Sequence, residues 1–299
     1  MLTGSRGARQ GEIPRVARTD TVFQAADNCN SPITNSSPQP LFAMQCYVEQ
    51  LGAVDYADGL RLQRERVAAR KAGGIPDTLL LLEHPHVYTL GRNAKKENLL
   101  ISTQQLAARG AQVFEIDRGG DVTYHGPGQL VGYPIIDLTQ HRRDIAWYMR
   151  SLEEVLIAVA GEYGIHAGRL PGAPGVWVGK EKLAAMGVHI SRWVTSHGFA
   201  FNVNTDLRYF DWIVPCGLRD KGVTSLQKLL GRWVEMAEVV ERVVRQFGRV
   251  FELEMAEGVA APAVVIPSAA RNPALGRATN EGDNQSQIPR CARNDIGGR

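Results

Sequence analysis

Cys216 stands between Pro215 and Gly217, two neighbours that prevent regular structure on either side. A structural cysteine more often lies inside a strand or helix, packed as a small hydrophobe. A sulfur fixed on a rigid turn is instead presented to a cleft, where its thiolate can act as a nucleophile. Lys182 lies upstream, in Gly179-Lys-Glu-Lys-Leu-Ala-Ala-Met-Gly187. If residues 179–181 turn, strand alternation puts Lys182, Ala184 and Met186 on one face and leaves Lys180 at the turn. A solvated edge-strand lysine is the plain alternative. From these residues alone the reading stops at an enzyme that handles acyl groups with a cysteine and a lysine.

The run Arg118-Gly-Gly-Asp-Val-Thr-Tyr-His-Gly-Pro-Gly-Gln-Leu-Val-Gly-Tyr133 carries five glycines among polar side chains. Without Cβ, glycine lets backbone N–H groups approach a ligand and adopt positive φ. With Arg118, Thr123, Tyr124, His125 and Gln129 packed around those glycines, the run reads as a wall of a binding site. It lacks the Lys-Ser/Thr ending of a P-loop and the three-glycine spacing of a dinucleotide fingerprint, so no nucleotide phosphate is expected. His84-x-His86 is the only close pair of metal-type ligands, with Pro85 between and no third ligand nearby. A structural role is expected for both rings, and no metal.

The 299 residues are 44% hydrophobic and 22% charged, ordinary material for a buried core. The formal charge of +3 comes from the ends. Residues 1–40 hold four arginines against three acids, and residues 258–299 five against three, which leaves the middle neutral. Nucleic-acid binding is therefore not indicated. The ends echo each other, Gly11-Glu-Ile-Pro-Arg-Val-Ala-Arg-Thr-Asp20 against Ser286-Gln-Ile-Pro-Arg-Cys-Ala-Arg-Asn-Asp295, but one repeat makes no solenoid. Their composition predicts disordered extensions over 1–43 and 258–299 around a catalytic domain at 44–257, with Met44 as the expected start of the functional protein. No apolar stretch is long enough for a membrane span or a secretory leader. Cys29, Cys46, Cys216 and Cys291 lie too far apart for a disulfide framework, which points to the cytoplasm.

Several elements must position these groups. Strands are predicted near 45–49, 77–83, 87–90, 113–116, 129–138, 176–178, 182–190 and 193–203. Helices are predicted over 54–72, with Tyr56, Leu60, Leu62, Val67 and Ala68 near helical spacing, and around 103–109, 144–163 and 234–247. Asp144 is the expected N-cap of the third, and Gly164 its stop. Strands outnumber helices and follow one another through tight turns. That predicts a single α+β domain with a mixed, mostly antiparallel sheet and flanking helices, not a doubly wound parallel one.

The glycine run resembles the signature of the lipoyl(octanoyl) transferases. Glu83-His-Pro-His-Val-Tyr-Thr-Leu-Gly91, Lys182-Leu-Ala-Ala-Met-Gly187, and Ser196-His-Gly-Phe-Ala-Phe-Asn-Val-Asn204 leading to Pro215-Cys-Gly217 agree with it in order, over residues 44 to 255. His86 stands where that family more usually has a small or apolar residue. The resemblance implies a fold like that of biotin and lipoate protein ligases, related to class II synthetase cores. It implies octanoyl transfer from acyl carrier protein to the lipoyl-domain lysine of lipoate-dependent enzymes. Lipoyl domains of 2-oxoacid dehydrogenases and the glycine cleavage H protein would be the acceptors. Cys216 would be the acyl-thioester nucleophile and Lys182 the lysine that lowers its pKa. Arg118, Gly119, Gly120, Asp121, Val122, Thr123, Tyr124 and His125 would line the acyl site with Ala185, Met186, Gly187, Gly198, Phe199 and Ala200.

The resemblance further implies a monomer with neither ATP nor metal, and no nucleic-acid or membrane partner. Acidic carriers would be met by arginines such as Arg142, Arg143, Arg150, Arg192, Arg208 or Arg219. Three rival readings remain: an ATP-dependent lipoate or biotin ligase on the same fold, a Cys-His hydrolase using His125 or His197, and a non-catalytic acyl-binding module.

Overall fold

Residues 78–82 are Thr-Leu-Leu-Leu-Leu, a run with no polar face to turn outward. The chain places it in the middle of a sheet covered on both sides, as such runs require. In the computed structural model, which describes residues 44–214 and 221–258, this run forms β2 (Asp77–Glu83), buried at every position but the last. Alternation sends Leu79 and Leu81 into one core and Leu80 and Leu82 into another on the opposite face. Cys216 and the two flanking stretches lie outside the described residues.

The other strands are β1 (Met44–Ala53), β3 (Val87–Leu90), β4 (Gln112–Glu115), β5 (Val122–His125), β6 (Gln129–Ile135), β7 (Gly168–Leu170), β8 (Ala173–Val178), β9 (Glu181–Ser191), β10 (Val194–Asn202), β11 (Gly222–Val223) and β12 (Leu253–Glu257). The main sheet runs β12-β1-β2-β6-β10-β9-β8-β7, with β11 against β9. Pairing is antiparallel from β2 through β7 and parallel at β12–β1–β2 and β11–β9. The expected mixed, mostly antiparallel sheet is present. A second small sheet, β4-β3-β5, was not foreseen.

The helices are α1 (Tyr56–Lys71), α2 (Thr103–Ala107), α3 (Ile145–Glu162), α4 (Leu226–Leu230) and α5 (Met236–Phe251). Asp144 caps α3, accepting from the Trp147 N–H at 3.0 Å, and Gly164 follows with φ 75°. Leu152, Leu156 and Val159 of α3 and Val239, Val243 and Phe247 of α5 cover the Leu79–Leu81 face. Each such side chain contributes about 1.5–3 kcal/mol by leaving water.

Helix α1 is where expectation and structure differ. Its apolar Leu60, Leu62 and Val67 are only half-buried, while Gln63 and Arg70 are buried. The helix covers the Leu80–Leu82 face, with Leu62 packed on Leu80, Leu82, Val131 and Tyr133, and hydrogen bonds at its buried polar positions add to that packing. Arg70 Nε donates to Asp77 Oδ1 at 2.7 Å, and the His197 N–H donates to Gln63 Oε1 at 2.8 Å.

Candidate active site

Lys182 opens β9 at a point where the sheet changes partners. β10 pairs with β9 only as far as Ala184, and beyond it β11 takes over, with Val223 opposite Lys182. The Thr224 N–H donates to the Lys182 carbonyl at 3.0 Å. On the other side, β9 bulges at Leu183, which is skipped between the pairs Trp177–Lys182 and Val176–Ala184. Gly175 (φ 131°) makes room there, since a Cβ would lie 2.6 Å from the Ala184 carbonyl oxygen and 3.4 Å from Lys182 Cε. The buried Lys182 ammonium sits 4.8 Å from the Trp177 ring centroid, a cation–π contact.

The bulge also corrects the expected alternation. Lys182 and Met186 line a cavity together, but Ala184 joins Leu183 in the core and Ala185 faces the cavity in its place. That cavity follows β9 and β10 from Lys182 toward Gly187 and Gly198. Arg118, Gly120, Asp121, Val122, Thr123, His125, Phe199 and Ala200 complete the part expected from sequence. Gln129 and Tyr133 of the glycine run and His197 and Asn202 of the Ser196–Asn204 stretch line it too, whereas Tyr56, Phe210 and Val223 come from elements that no local pattern connects to it.

Two of the expected residues do not reach this cavity. Gly119 instead docks the glycine run on β9, its N–H donating to the Val188 carbonyl at 3.0 Å. Tyr124 points away, into a separate core with Tyr88, Val122 and Phe210. β5 explains this, because alternation aims Thr123 and His125 at the cavity and Tyr124 at the small core. The Tyr124 hydroxyl lies 2.7 Å from His86 Nδ1, and His86 stacks on Tyr209 at 4.1 Å between centroids.

Arg118 holds the glycine run in place. Its Nη2 donates to the Thr89 carbonyl and hydroxyl oxygens at 2.7 and 2.8 Å, and Nη1 donates to the Gly119 carbonyl at 3.1 Å. Gly187 must lack a side chain for this packing, as its Cβ would come 2.9 Å from the Gly119 oxygen.

Behind the cavity a hydrogen-bond chain ties its walls together. His125 Nδ1 donates to Gln129 Oε1 at 2.8 Å, Gln129 Nε2 to Asn202 Oδ1 at 2.9 Å, and Asn202 Nδ2 to the Thr224 carbonyl at 3.0 Å. Burial, reinforced by the neighbouring His84, pushes the His125 pKa down to about 3. His84 Nδ1 donates to the Val54 carbonyl at 2.7 Å, so Nε2 accepts from the Tyr133 hydroxyl at 2.8 Å. Burial lowers the His84 pKa to about 4. Both His84 nitrogens are hydrogen-bonded, while His86 uses Nδ1 toward Tyr124. No three His, Cys, Asp or Glu side chains converge among the described residues.

Cys46 is no candidate nucleophile. It is fully buried in the main core, and desolvation, with the charge of Asp77, pushes its thiol pKa up. His197 pairs with Val188, six residues beyond Lys182 and so about 20 Å along the strand, with its Nε2 donating to Asp117 Oδ1 at 2.9 Å. Of the candidate rim arginines, Arg208 lines a groove next to the cavity, and Arg142 pairs with Asp144 at the surface. Arg219 falls outside the described residues. No helix among the described residues is long and apolar enough to cross a membrane.

The family model of the lipoyl protein ligase A/B catalytic domain matches residues 55–248. An octanoyltransferase of Solibacter usitatus is 57% identical over 71% of this chain and 96% of its own length. An octanoyltransferase of Caldicellulosiruptor saccharolyticus is 54% identical over 69% and 87%. Among solved structures, a lipoate-protein ligase A bound with ATP superposes with a TM-score of 0.60 at 17% identity, over 72% of this chain and 89% of that one, a likeness of fold. The chain belongs to the lipoyl protein ligase A/B catalytic-domain family and, within it, to the octanoyltransferases.

Proposed function

We propose that the protein transfers an octanoyl group from octanoyl-acyl carrier protein to the lysine of a lipoyl domain, through a thioester on Cys216. The observation that carries this reading is the cavity that begins at the buried amine of Lys182 and runs between β9 and β10, lined by Ala185, Met186, Gly187, Phe199 and Ala200. Cys216 follows Val214 by two residues, a reach of about 7 Å. Val214 lines the groove that shares Phe210 and Val223 with the cavity. Lys221 lines the same groove, and the chain beyond it pairs directly with Lys182.

The chemistry balances in two exchanges. The Cys216 thiolate attacks the donor's thioester carbonyl, forming one S–C bond and breaking another, and the Lys182 ammonium gives its proton to the departing thiolate. An amine from the acceptor lysine then attacks the new thioester. The C–N bond forms, the Cys216 S–C bond breaks, and the amine's proton passes to Lys182. A cysteine at its ordinary pKa is about 3% thiolate at neutral pH, a penalty of about 2 kcal/mol. An ordinary acceptor lysine is neutral in about 1 of 2,500 molecules, a penalty of about 4.6 kcal/mol. The second step therefore gains more from a base. Thioester to amide runs downhill, so neither ATP nor metal is required.

A Cys-His hydrolase is disfavoured, since His197 lies far along β9 from Lys182 and His125 is held on Gln129. The test is transfer to a lipoyl domain by wild type, Cys216→Ser and Lys182→Arg, with and without ATP. The reading expects ATP-independent transfer that Cys216→Ser abolishes. Lys182→Arg should still capture octanoyl but transfer it about 100-fold or more slowly. Full activity of Cys216→Ser, with dependence on ATP, would identify a ligase instead.

A further inference from the structure

The octanoyl cavity has two ends. At the Lys182 end it opens through Phe210 and Val223 into the neighbouring groove. At the other end, among the described residues, it shares only His197 with a second surface groove, between α1 and the β9–β10 hairpin. The imidazole thus stands as a partition between the cavity and solvent-facing space lined by Leu60, Val67 and Ala68.

Three elements hold that partition. Gln63 of α1 accepts from the His197 N–H at 2.8 Å. Asp117, just before the glycine run, accepts from Nε2 at 2.9 Å. Tyr133 of β6 meets the ring edge-on, 6.2 Å between centroids at 87°. The backbone at His197 has φ 55°, the left-handed region that a residue with a β-carbon rarely takes without support. A ring restrained in this way behaves as a wall.

We propose that His197 is the stop that ends the acyl cavity and sets the longest acyl chain this enzyme transfers. The inference rests on the acyl assignment of the cavity given above. Eight extended carbons span about 9 Å, whereas Lys182 to Met186 is four strand residues, about 13 Å. With the reacting carbonyl a few ångströms along β9 from Lys182, the terminal methyl lies by Met186, two residue pairs short of His197. Four further methylenes add about 5 Å and bring the chain onto the ring of His197, which pairs with Val188 about 20 Å along β9 from Lys182.

The test compares transfer from octanoyl-, decanoyl- and dodecanoyl-carrier protein. Wild type should lose at least tenfold in kcat/KM between eight and twelve carbons. His197→Gly removes the ring and suits the left-handed backbone. It should join cavity to groove and raise the dodecanoyl-to-octanoyl ratio at least tenfold. His197→Asn, also tolerant of this conformation, should shift the ratio in the same direction and covers the case in which the glycine variant fails to fold. Equal transfer of eight and twelve carbons by wild type overturns the stop, as does an unchanged ratio in either folded variant. Failure of wild type to transfer octanoyl at all would instead strike the function proposed above.

Discussion

At the scale of single residues, the structure makes acid stability depend on two histidines. His84 and His125 are buried as neutral rings, with pKa values lowered to about 4 and about 3 by desolvation. An unfolded chain binds these protons near pH 6.5, well before the folded one does. Stability is therefore full above about pH 6.5 and is lost as pH falls toward the folded values. For His84 alone the loss is about 3 kcal/mol by pH 4. Urea unfolding between pH 7 and 4 should show this fall, and His84→Gln, though less stable at pH 7, should show a shallower one. An equal slope in the variant would remove His84 from the account. Gly187 offers a second residue-scale test. A methyl there presses on the Gly119 oxygen at 2.9 Å and on Arg118 Cδ at 3.1 Å. Gly187→Ala should displace the glycine run and raise KM for the acyl donor about tenfold, with circular dichroism unchanged. An unaltered KM would separate the run from donor binding.

Among the elements, α1 is attached to the sheet by a buried charge cluster as well as by apolar packing. Asp77 at the start of β2 receives Arg70 Nε at 2.7 Å and His141 Nε2 at 2.7 Å, with all three groups buried. Removing one partner leaves the others uncompensated, so Asp77→Ala should cost about 3–5 kcal/mol in urea unfolding. A cost below 1 kcal/mol would mean that packing alone holds α1. Sequence predicted β2, β3, α3 and its cap well, because their signals are local: an apolar run, a Pro-bounded strand, an Asp before a periodic stretch. It missed β11, two residues long, whose existence depends on finding β9 as a partner. The site was legible where a motif carried it, in Arg118, His125, Lys182 and residues 185–187. Tyr56 and Phe210 reach the same cavity from elements outside every motif, and no spacing reveals that. Tyr124 shows the opposite error. It sits inside the motif, yet once β5 is recognised as a strand its phase turns the ring into the small core.

For the molecule as a whole, the sheet is the device that aligns the chemistry. The β10-to-β11 exchange along β9 brings Val223 beside Lys182, and the hydrogen-bond chain from His125 to Thr224 fixes that junction to the glycine run. On the proposed function, an acyl group entering at Lys182 follows β9, gaining about 0.8 kcal/mol per buried methylene. The central claim is that this path starts from an acylated Cys216. Intact-mass spectrometry after incubation with octanoyl-acyl carrier protein tests it most directly. The account predicts one added octanoyl group, mapped by peptide analysis to Cys216 and discharged when a lipoyl domain is supplied. Transfer to the lipoyl domain with no adduct on Cys216 at any time point would contradict it.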